Sequence, residues 1–242
     1  MEVADPSVPD LTVIVVSYNT KDLTLECLRS LRRNIDPSRT QVLVADNGSS
    51  DGSAEAIASE FGWLELIENG DDLGFGRANN LAAKRARGER LLLLNPDTVV
   101  LDGAIDAMVR CADENPDAGI WGGRTLFGDG SLNANSCSAR PTLWSAVCDM
   151  AGIRRLFKGS RLFDREEYGW WKRDTPMRVD IVSGCFLLID RSLWEALGGF
   201  DRDFFMYGEE TDLCIRAGKL GYRPLVTPDA TIIHYGGTSE RV

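Results

Sequence analysis

No apolar stretch in these 242 residues is long enough to cross a bilayer; the longest aliphatic runs are Val13-Ile14-Val15-Val16 and Leu91-Leu92-Leu93-Leu94. The first residues, Met1-Glu2-Val3-Ala4-Asp5-Pro6, lack the basic-then-apolar order of a secretory signal, so a cytoplasmic protein is expected. Basic residues are in deficit: 27 Lys+Arg stand against 37 Asp+Glu, for a formal charge of −10. That balance argues against a general nucleic-acid binder, which needs a basic surface to neutralise phosphates. The six cysteines (Cys27, Cys111, Cys137, Cys148, Cys185 and Cys214) include no C-x-x-C pair, so reduced, mostly buried thiols are expected rather than disulfides or a zinc site. Two nucleotide signatures are missing as well. No G-x-x-x-x-G-K-[ST] occurs, which leaves a P-loop nucleotidase without its anchor, and the first strand turn, Ser17 to Asp22, holds no glycine. Gly74-Phe75-Gly76-Arg77-Ala78-Asn79 follows the third strand and has Asn at the last glycine position of a dinucleotide fingerprint, so a nicotinamide-dependent oxidoreductase is a poor fit.

What is present, 43% hydrophobic and 26% charged residues, describes a globular chain able to bury a full core. Leu11 to Val16 is a β-branched apolar run ending in Ser17-Tyr18-Asn19, the pattern of a buried parallel strand whose carboxyl end opens into a site. Leu23, Cys27, Leu28 and Leu31 then share one helical face, and Asn34 to Pro37 stops the run. Val42 to Ala45 reads as a strand, Asp46 to Gly52 as a turn and Ser53 to Phe61 as a helix. Trp63 to Ile67 (strand), Arg77 to Arg87 (helix) and Arg90 to Leu94 (strand) repeat the unit. This alternation predicts an α/β fold with a doubly wound, mostly parallel sheet. After a helix over Asp102 to Asn115 the pattern loosens. It gives a strand at Ile120, a hairpin at Gly128-Asp129-Gly130, a helix from Thr142 to Gly152, and a loop or short amphipathic segment over Arg154 to Arg173. A strand over Val179 to Ile189, interrupted by Ser183-Gly184, precedes helices near Leu193 and from Glu209 to Leu220; a last strand carries His234.

Ligands of such sheets bind outside the carboxyl ends of the strands, where this sequence puts Asn19, Asp46 and Asp97. The Asp46-Asn47-Gly48-Ser49-Ser50-Asp51 turn can hold a polar planar group such as a pyrimidine base, or can simply cap the next helix. Asn95-Pro96-Asp97 places a carboxylate at the mouth of a buried strand, where a divalent cation bridging phosphate oxygens needs one; an ordinary Pro-Asp turn is the alternative. Gly208-Glu209-Glu210-Thr211-Asp212 crowds three carboxylates at a helix start, serving the helix dipole or supplying a general base for a sugar hydroxyl. His234, the single histidine, is flanked by Gly236-Gly237, which permits close approach of a ligand or loop. The basic and apolar Ile153-Arg154-Arg155-Leu156-Phe157-Lys158-Gly159-Ser160-Arg161-Leu162-Phe163 is read either as peripheral contact with an anionic membrane or lipid-linked acceptor, or as a surface loop whose stems cover the core.

Taken together, Val13 to Asn19, the Asp46 to Asp51 turn, Gly74-Phe75-Gly76 with Asn79-Asn80, Asn95-Pro96-Asp97, and Gly198-Gly199-Phe200-Asp201 with Glu209-Glu210 resemble family 2 glycosyltransferases. The motifs run in family order from Leu11 to Gly237. The resemblance implies a GT-A fold forming one domain over 1–242, with a nucleotide-sugar-binding half at about 10–123 and an acceptor and catalytic half at about 124–242. It implies a divalent metal (Mg2+ or Mn2+), inversion at the anomeric carbon, and a nucleotide-diphosphate sugar as donor. Asp46 would contact the base, Asp97 the metal and diphosphate, and Glu210 the acceptor hydroxyl, with His234 a further metal ligand. Ser17, Asn19, Asn47, Gly74 and Asn79 would join the donor site, and Asn95, Ser183, Gly184 and Glu209 would lie near the sugars. The Asn-Pro-Asp form is similar to that of bacterial rhamnosyltransferases building O-antigen or other cell-surface polysaccharide. That points to dTDP-rhamnose first and a UDP-sugar second, to a glycan or lipid-linked acceptor, and to work at the cytoplasmic face of the inner membrane. Two departures stand out: Asn95 is neutral where the metal motif usually has an acid, and Glu210 stands where Asp is common. A noncatalytic nucleotide-sugar or glycan-binding domain and a sugar nucleotidyltransferase are the rival readings. Retained Glu210, Asp97 and His234 disfavour the first rival. The lack of a glycine-rich basic loop after the first strand disfavours the second.

Overall fold

In the computed structural model, which describes residues 9–205 and 207–236, strand and helix alternate through the first half of the chain. β1 (Leu11–Ser17) leads to α1 (Lys21–Arg33), β2 (Thr40–Asp46) to α2 (Ser53–Glu60), and β3 (Glu65–Glu68) to α3 (Phe75–Ala83). β4 (Arg90–Leu94) is followed by the short β5 (Thr98–Val100) and α4 (Ala104–Glu114). The second half contributes β6 (Ile120–Leu126), β7 (Leu132–Asn133), β8 (Cys137–Ser138), α5 (Leu143–Met150), α6 (Ile153–Leu156), β9 (Met177–Arg178) and β10 (Ile181–Val182). It ends with β11 (Phe186–Asp190), α7 (Arg191–Leu197), α8 (Glu209–Lys219) and β12 (Leu225–His234). Gly237 lies outside the described residues.

The main sheet runs β3-β2-β1-β4-β11-β6-β12-β5, with β7 added to β6 and β9 to β12. Six strands on that path (β3, β2, β1, β4, β6 and β12) point one way, and β11 and β5 oppose them. The single sheet therefore passes through both halves of the chain. Its central strands are covered on both faces, which explains their unbroken apolar runs. Val13 and Val15 pack with Leu25, Leu28 and Leu31 of α1, whereas Ile14 and Val16 pack with Ala78 and Ala82 of α3. The four leucines of β4 divide in the same way, Leu92 and Leu94 to the first face and Leu91 and Leu93 to the second. Each side chain buried so fully contributes roughly 1.5–3 kcal/mol. All six cysteines are buried and unpaired, as their spacing suggested.

Several elements differ in extent from the sequence pattern. The helix expected over Arg77 to Arg87 begins at Phe75 and ends at Ala83, and the strand expected from Trp63 begins at Glu65. The run from Val179 to Ile189 is two strands in two different sheets: β10 pairs with β8, and β11 enters the main sheet between β4 and β6. Ser183-Gly184 is the joint between them. β5 is hidden in the sequence because it starts directly after a Pro-Asp turn and is only three residues long. Arg154 to Arg173 is mostly turns, organised from inside by Arg173. That buried guanidinium donates to the carbonyl oxygens of Tyr168 (3.0 Å), Trp171 (2.9 Å), Ala134 (3.0 Å) and Glu167 (2.8 Å). Its charge thereby compensates backbone acceptors that have no regular secondary structure to satisfy them.

Candidate functional site

The strand directions bring the carboxyl ends of β1, β2, β4 and β12 to one edge of the sheet. β11 runs the other way, so the Ser183-Gly184-Cys185 turn before it reaches that same edge. A cleft of about 250 Å3 opens there, lined by Asn47, Gly74, Asn95, Asp97, Ser183, Gly184, Glu209, Glu210 and His234 among others. Nine of the proposed site residues therefore share one cavity. Ser17, Asn19, Asp46 and Asn79 do not line it. They build its frame.

The frame is a set of ties between strand-end loops. The buried Ser17 hydroxyl meets the Thr24 hydroxyl at 3.0 Å and anchors the start of α1. Asn19 adopts a left-handed backbone (φ 49°), and its side-chain oxygen accepts from the Ser50 backbone N–H at 2.8 Å, joining the first and second strand-end loops. Asp46 is buried; its Oδ2 accepts from the Ser49 N–H at 2.9 Å, while its Oδ1 has no partner. An unpartnered buried carboxylate oxygen is costly, and a donor group on a ligand would relieve it. Asn79 is buried too, donating to the Phe75 carbonyl at 3.0 Å.

Across the cleft, Asn47 donates to Asp72 Oδ1 at 3.2 Å, and the same oxygen accepts from the Gly74 N–H at 2.9 Å. Asp72 was not legible as a site residue, although a carboxylate two residues before a glycine is a turn signal. Gly74 has φ +73°, and a Cβ there would stand 2.3 Å from the Phe205 carbonyl oxygen, so only glycine lets the two chains approach. Asn80 clamps the Phe200 backbone, accepting from its N–H at 2.9 Å and donating to its carbonyl at 2.8 Å. Arg216 fastens α8 to the preceding turn through the carbonyls of Leu197 (2.7 Å) and Gly199 (2.9 Å). These ties set the start of α8, and with it Glu209 and Glu210, over the cleft.

One wall of the cleft is made by strand register. His234 of β12 pairs with Thr98 of β5, the residue after Asp97. His234 Nε2 consequently lies 3.2 Å from Asp97 Oδ1, an oxygen with no well-directed hydrogen-bond donor. Asp97 is 2% exposed. Burial opposes charge on the imidazole, but the neighbouring Asp97 and Cys185 outweigh it and push the His234 pKa up to about 10. No group of three or more His, Cys, Asp or Glu side chains that could hold a metal occurs among the described residues. Asp97 and His234 thus offer one hard oxygen and one nitrogen, a donor pair that fits a divalent ion completing its shell with phosphate oxygens and water.

The acid side holds Glu209 and Glu210, both with an Oε2 that has no hydrogen-bond partner. Burial pushes the Glu209 pKa up to about 7, the backbone amide at its helix start opposes the shift, and Glu210 adds to it. Burial also raises Glu210, partly offset by its own backbone N–H and that of Gly184. A carboxyl raised by burial is a stronger base than an exposed one and is suited to accept a proton from a hydroxyl. The linkage has a definite sign. Glu209 contributes stability that is fully present below the unfolded carboxyl range and is lost as pH rises through about 7. Glu209→Gln should therefore raise Tm by several degrees at about pH 8 and leave it little changed at about pH 4, as read by thermal denaturation at the two pH values.

The Glycosyl transferase family 2 model matches residues 12–197. The chain is 28% identical over 243 residues to the N-acetylglucosaminyl-diphospho-decaprenol L-rhamnosyltransferase of Mycobacterium tuberculosis, covering 93% of this chain and 76% of the relative. It is 28% identical over 239 residues to rhamnosyltransferase WbbL of Escherichia coli K12, covering 95% and 84%. In fold it is similar to a mannosyltransferase from Pyrobaculum calidifontis solved with GDP-Man and Mn2+ (TM-score 0.66, 24% identity, 98% of this chain and 60% of that one). It is equally similar in fold to GalNAc-T7 solved with UDP, GalNAc and Mn2+ (TM-score 0.66, 16% identity, 95% and 44%).

Proposed function

Because the chain belongs to the family 2 glycosyltransferases and has their GT-A fold, we propose that it transfers rhamnose, with inversion, from dTDP-rhamnose to a hydroxyl of a glycan or lipid-linked acceptor. The observation that carries this reading is that the Asp97–His234 pair and the Glu209–Glu210 pair line one and the same cleft. One pair suits a leaving diphosphate with its metal, and the other suits the attacking hydroxyl. The names of the two rhamnosyltransferase relatives support the sugar. A noncatalytic binding domain would have no use for two raised carboxyls facing the same cleft.

In this reading the 10–123 half holds the donor, with Asp46 Oδ1 accepting from a ring N–H of the pyrimidine. Asp97 and His234 would hold Mg2+ or Mn2+, which when bound supplies Lewis acidity to the departing diphosphate. Asn95 lies at the same wall as a neutral ligand or hydrogen-bond donor. Glu210 removes the proton of the acceptor hydroxyl, and Ser183 and Gly184 shape the space in which the sugars meet. The acceptor is presented at the cytoplasmic face of the inner membrane.

A thermal-shift panel of nucleotide sugars, with magnesium, manganese or chelator, tests the donor. A ligand at a hundred times its Kd adds about 2.7 kcal/mol, which corresponds to roughly 5–10 °C for a chain of this size. dTDP-rhamnose with metal should give such a shift and chelator should reduce it. Stabilisation by uridine nucleotides alone would move the assignment to a UDP-sugar. Donor turnover without an acceptor, at the same rate as with one, would remove transfer itself.

A further inference from the structure

Between β8 and β10 the chain makes a long excursion, residues 139–180, whose one strand is the two-residue β9, and the stretch before that strand exposes what the rest of the fold buries. Thirteen large hydrophobic residues are exposed among the described residues, and seven of them (Leu143, Trp144, Val147, Met150, Leu156, Phe157 and Leu162) lie in this excursion. That concentration separates a patch from ordinary scatter. Leu143, Val147 and Met150 recur at helical spacing on α5 and share one face. Leu143 is 90% exposed, Met150 83% and Leu156 80%. The segment is nevertheless well tied: Trp144 Nε1 donates to the Leu162 carbonyl at 3.0 Å, and the Phe163 ring packs on Trp144 and Phe157. The apolar side chains are held outward by folded structure.

Charge marks the same surface. From 140 to 165 there are six basic residues (Arg140, Arg154, Arg155, Lys158, Arg161 and Arg165) and two acids (Asp149 and Asp164), a net of +4 in a chain of −10. Asp149 is paired with Arg154, and Asp164 is buried, accepting from the Gly159 N–H at 2.7 Å. Arg155, Lys158 and Arg161 are exposed beside Leu156, Phe157 and Leu162.

We propose that this face docks on an anionic lipid bilayer, with the apolar side chains at the acyl boundary and the basic ones among the headgroups. An anionic surface attracts residues 140–165 and repels the remaining −14 of the chain, so the charge pattern also sets the orientation. A second copy is disfavoured as the occupant, because a two-fold contact would press one +4 face against another. The excursion begins and ends at the β8–β10 ladder, and Ser183, directly after β10, donates its N–H to the Ser136 carbonyl at 3.0 Å and lines the cleft. The docked face is thus joined to the acceptor wall of the site. This inference rests on the lipid-linked acceptor reading only for its purpose, not for the binding itself.

Co-sedimentation of the full chain with phosphatidylglycerol–phosphatidylethanolamine vesicles, against phosphatidylcholine vesicles, is the test. Binding to the anionic vesicles alone is expected, weakening with salt. Each basic contact is worth about fivefold in partitioning, so a combined Arg155→Glu, Lys158→Glu and Arg161→Glu variant should lose at least about tenfold. A combined Leu143→Ser, Met150→Ser and Leu156→Ser variant should lose a similar factor by removing the apolar part. All six positions are exposed or nearly so, and donor-induced thermal stabilisation should persist in both variants, which reports the cleft separately. The proposal is overturned by failure to bind anionic vesicles, by equal binding of the variants, or by a concentration-dependent dimer that the serine variant abolishes.

Discussion

Glu210→Gln is expected to lower kcat by about 10²–10⁴ while donor affinity stays within a few-fold of the wild type. Glutamine keeps the size and most of the hydrogen bonding of the side chain, including an acceptor for the Gly184 N–H, but it cannot take the hydroxyl proton. The pH profile supplies a second readout. Burial raises the Glu210 carboxyl, so the wild-type rate should climb with pH as that group ionises, and the variant should lose this acidic limb. Glu209 makes the necessary control because it lines the same cleft and is raised to about 7. Neighbours on a helix point roughly 100° apart, so the two carboxyls cannot address one hydroxyl alike. Turnover and donor binding measured on both glutamine variants decide between them. Near-normal turnover in Glu210→Gln, or a collapse only in Glu209→Gln, moves the base to the neighbouring residue.

The parts of this site that were legible in the sequence are those fixed by local pattern. β-branched and leucine runs that stop at polar residues identified the strand ends, and hence Asp46 and Asp97, because a strand buried on both faces must be apolar to its last turn. The start of α8 was legible from its acids, and Gly74 from its neighbours. What the residue pattern alone did not show, and for His234, Ser183 and Gly184 only the family resemblance implied, depends on pairing between distant segments. The approach of His234 to Asp97 requires β12 to align with β5, and β5 is only three residues long, too short for its apolar pattern to separate it from the Pro-Asp turn before it. The placement of Ser183-Gly184 in the cleft depends on β11 running against β4, a direction that hydrophobic periodicity does not encode. Asp72 escaped for a related reason, since its partners Asn47 and Gly74 meet only after β2 and α3 are in place. Asn19 was legible as a polar residue at a strand end, and Ser17 and Asn79 were named through the family resemblance; the hydrogen bonds of all three tie neighbouring segments together.

Asp97→Ala is expected to abolish metal-dependent turnover and to weaken donor binding by an order of magnitude or more. Losing a preorganised charge-stabilising group at a reacting centre costs about 10²–10³ in rate, and in the proposed site the same carboxylate would also be the hard oxygen of the metal pair. The effect on His234 gives the variant a distinct signature. Without Asp97 one of the contacts holding the imidazole near a pKa of about 10 disappears, and burial pulls the value back down. NMR titration of the only histidine in the chain can follow that change without any donor present. His234→Ala should be milder, raising the metal concentration for half-maximal rate by roughly 10–100-fold while the saturated rate falls less. In the wild type a metal must displace the proton that His234 holds, so metal affinity should also rise with pH. A metal titration of activity on the three proteins, at two pH values, reads all of this at once. Full activity of Asp97→Ala, or turnover in the wild type that chelator leaves untouched, would show that the diphosphate is stabilised elsewhere in the cleft.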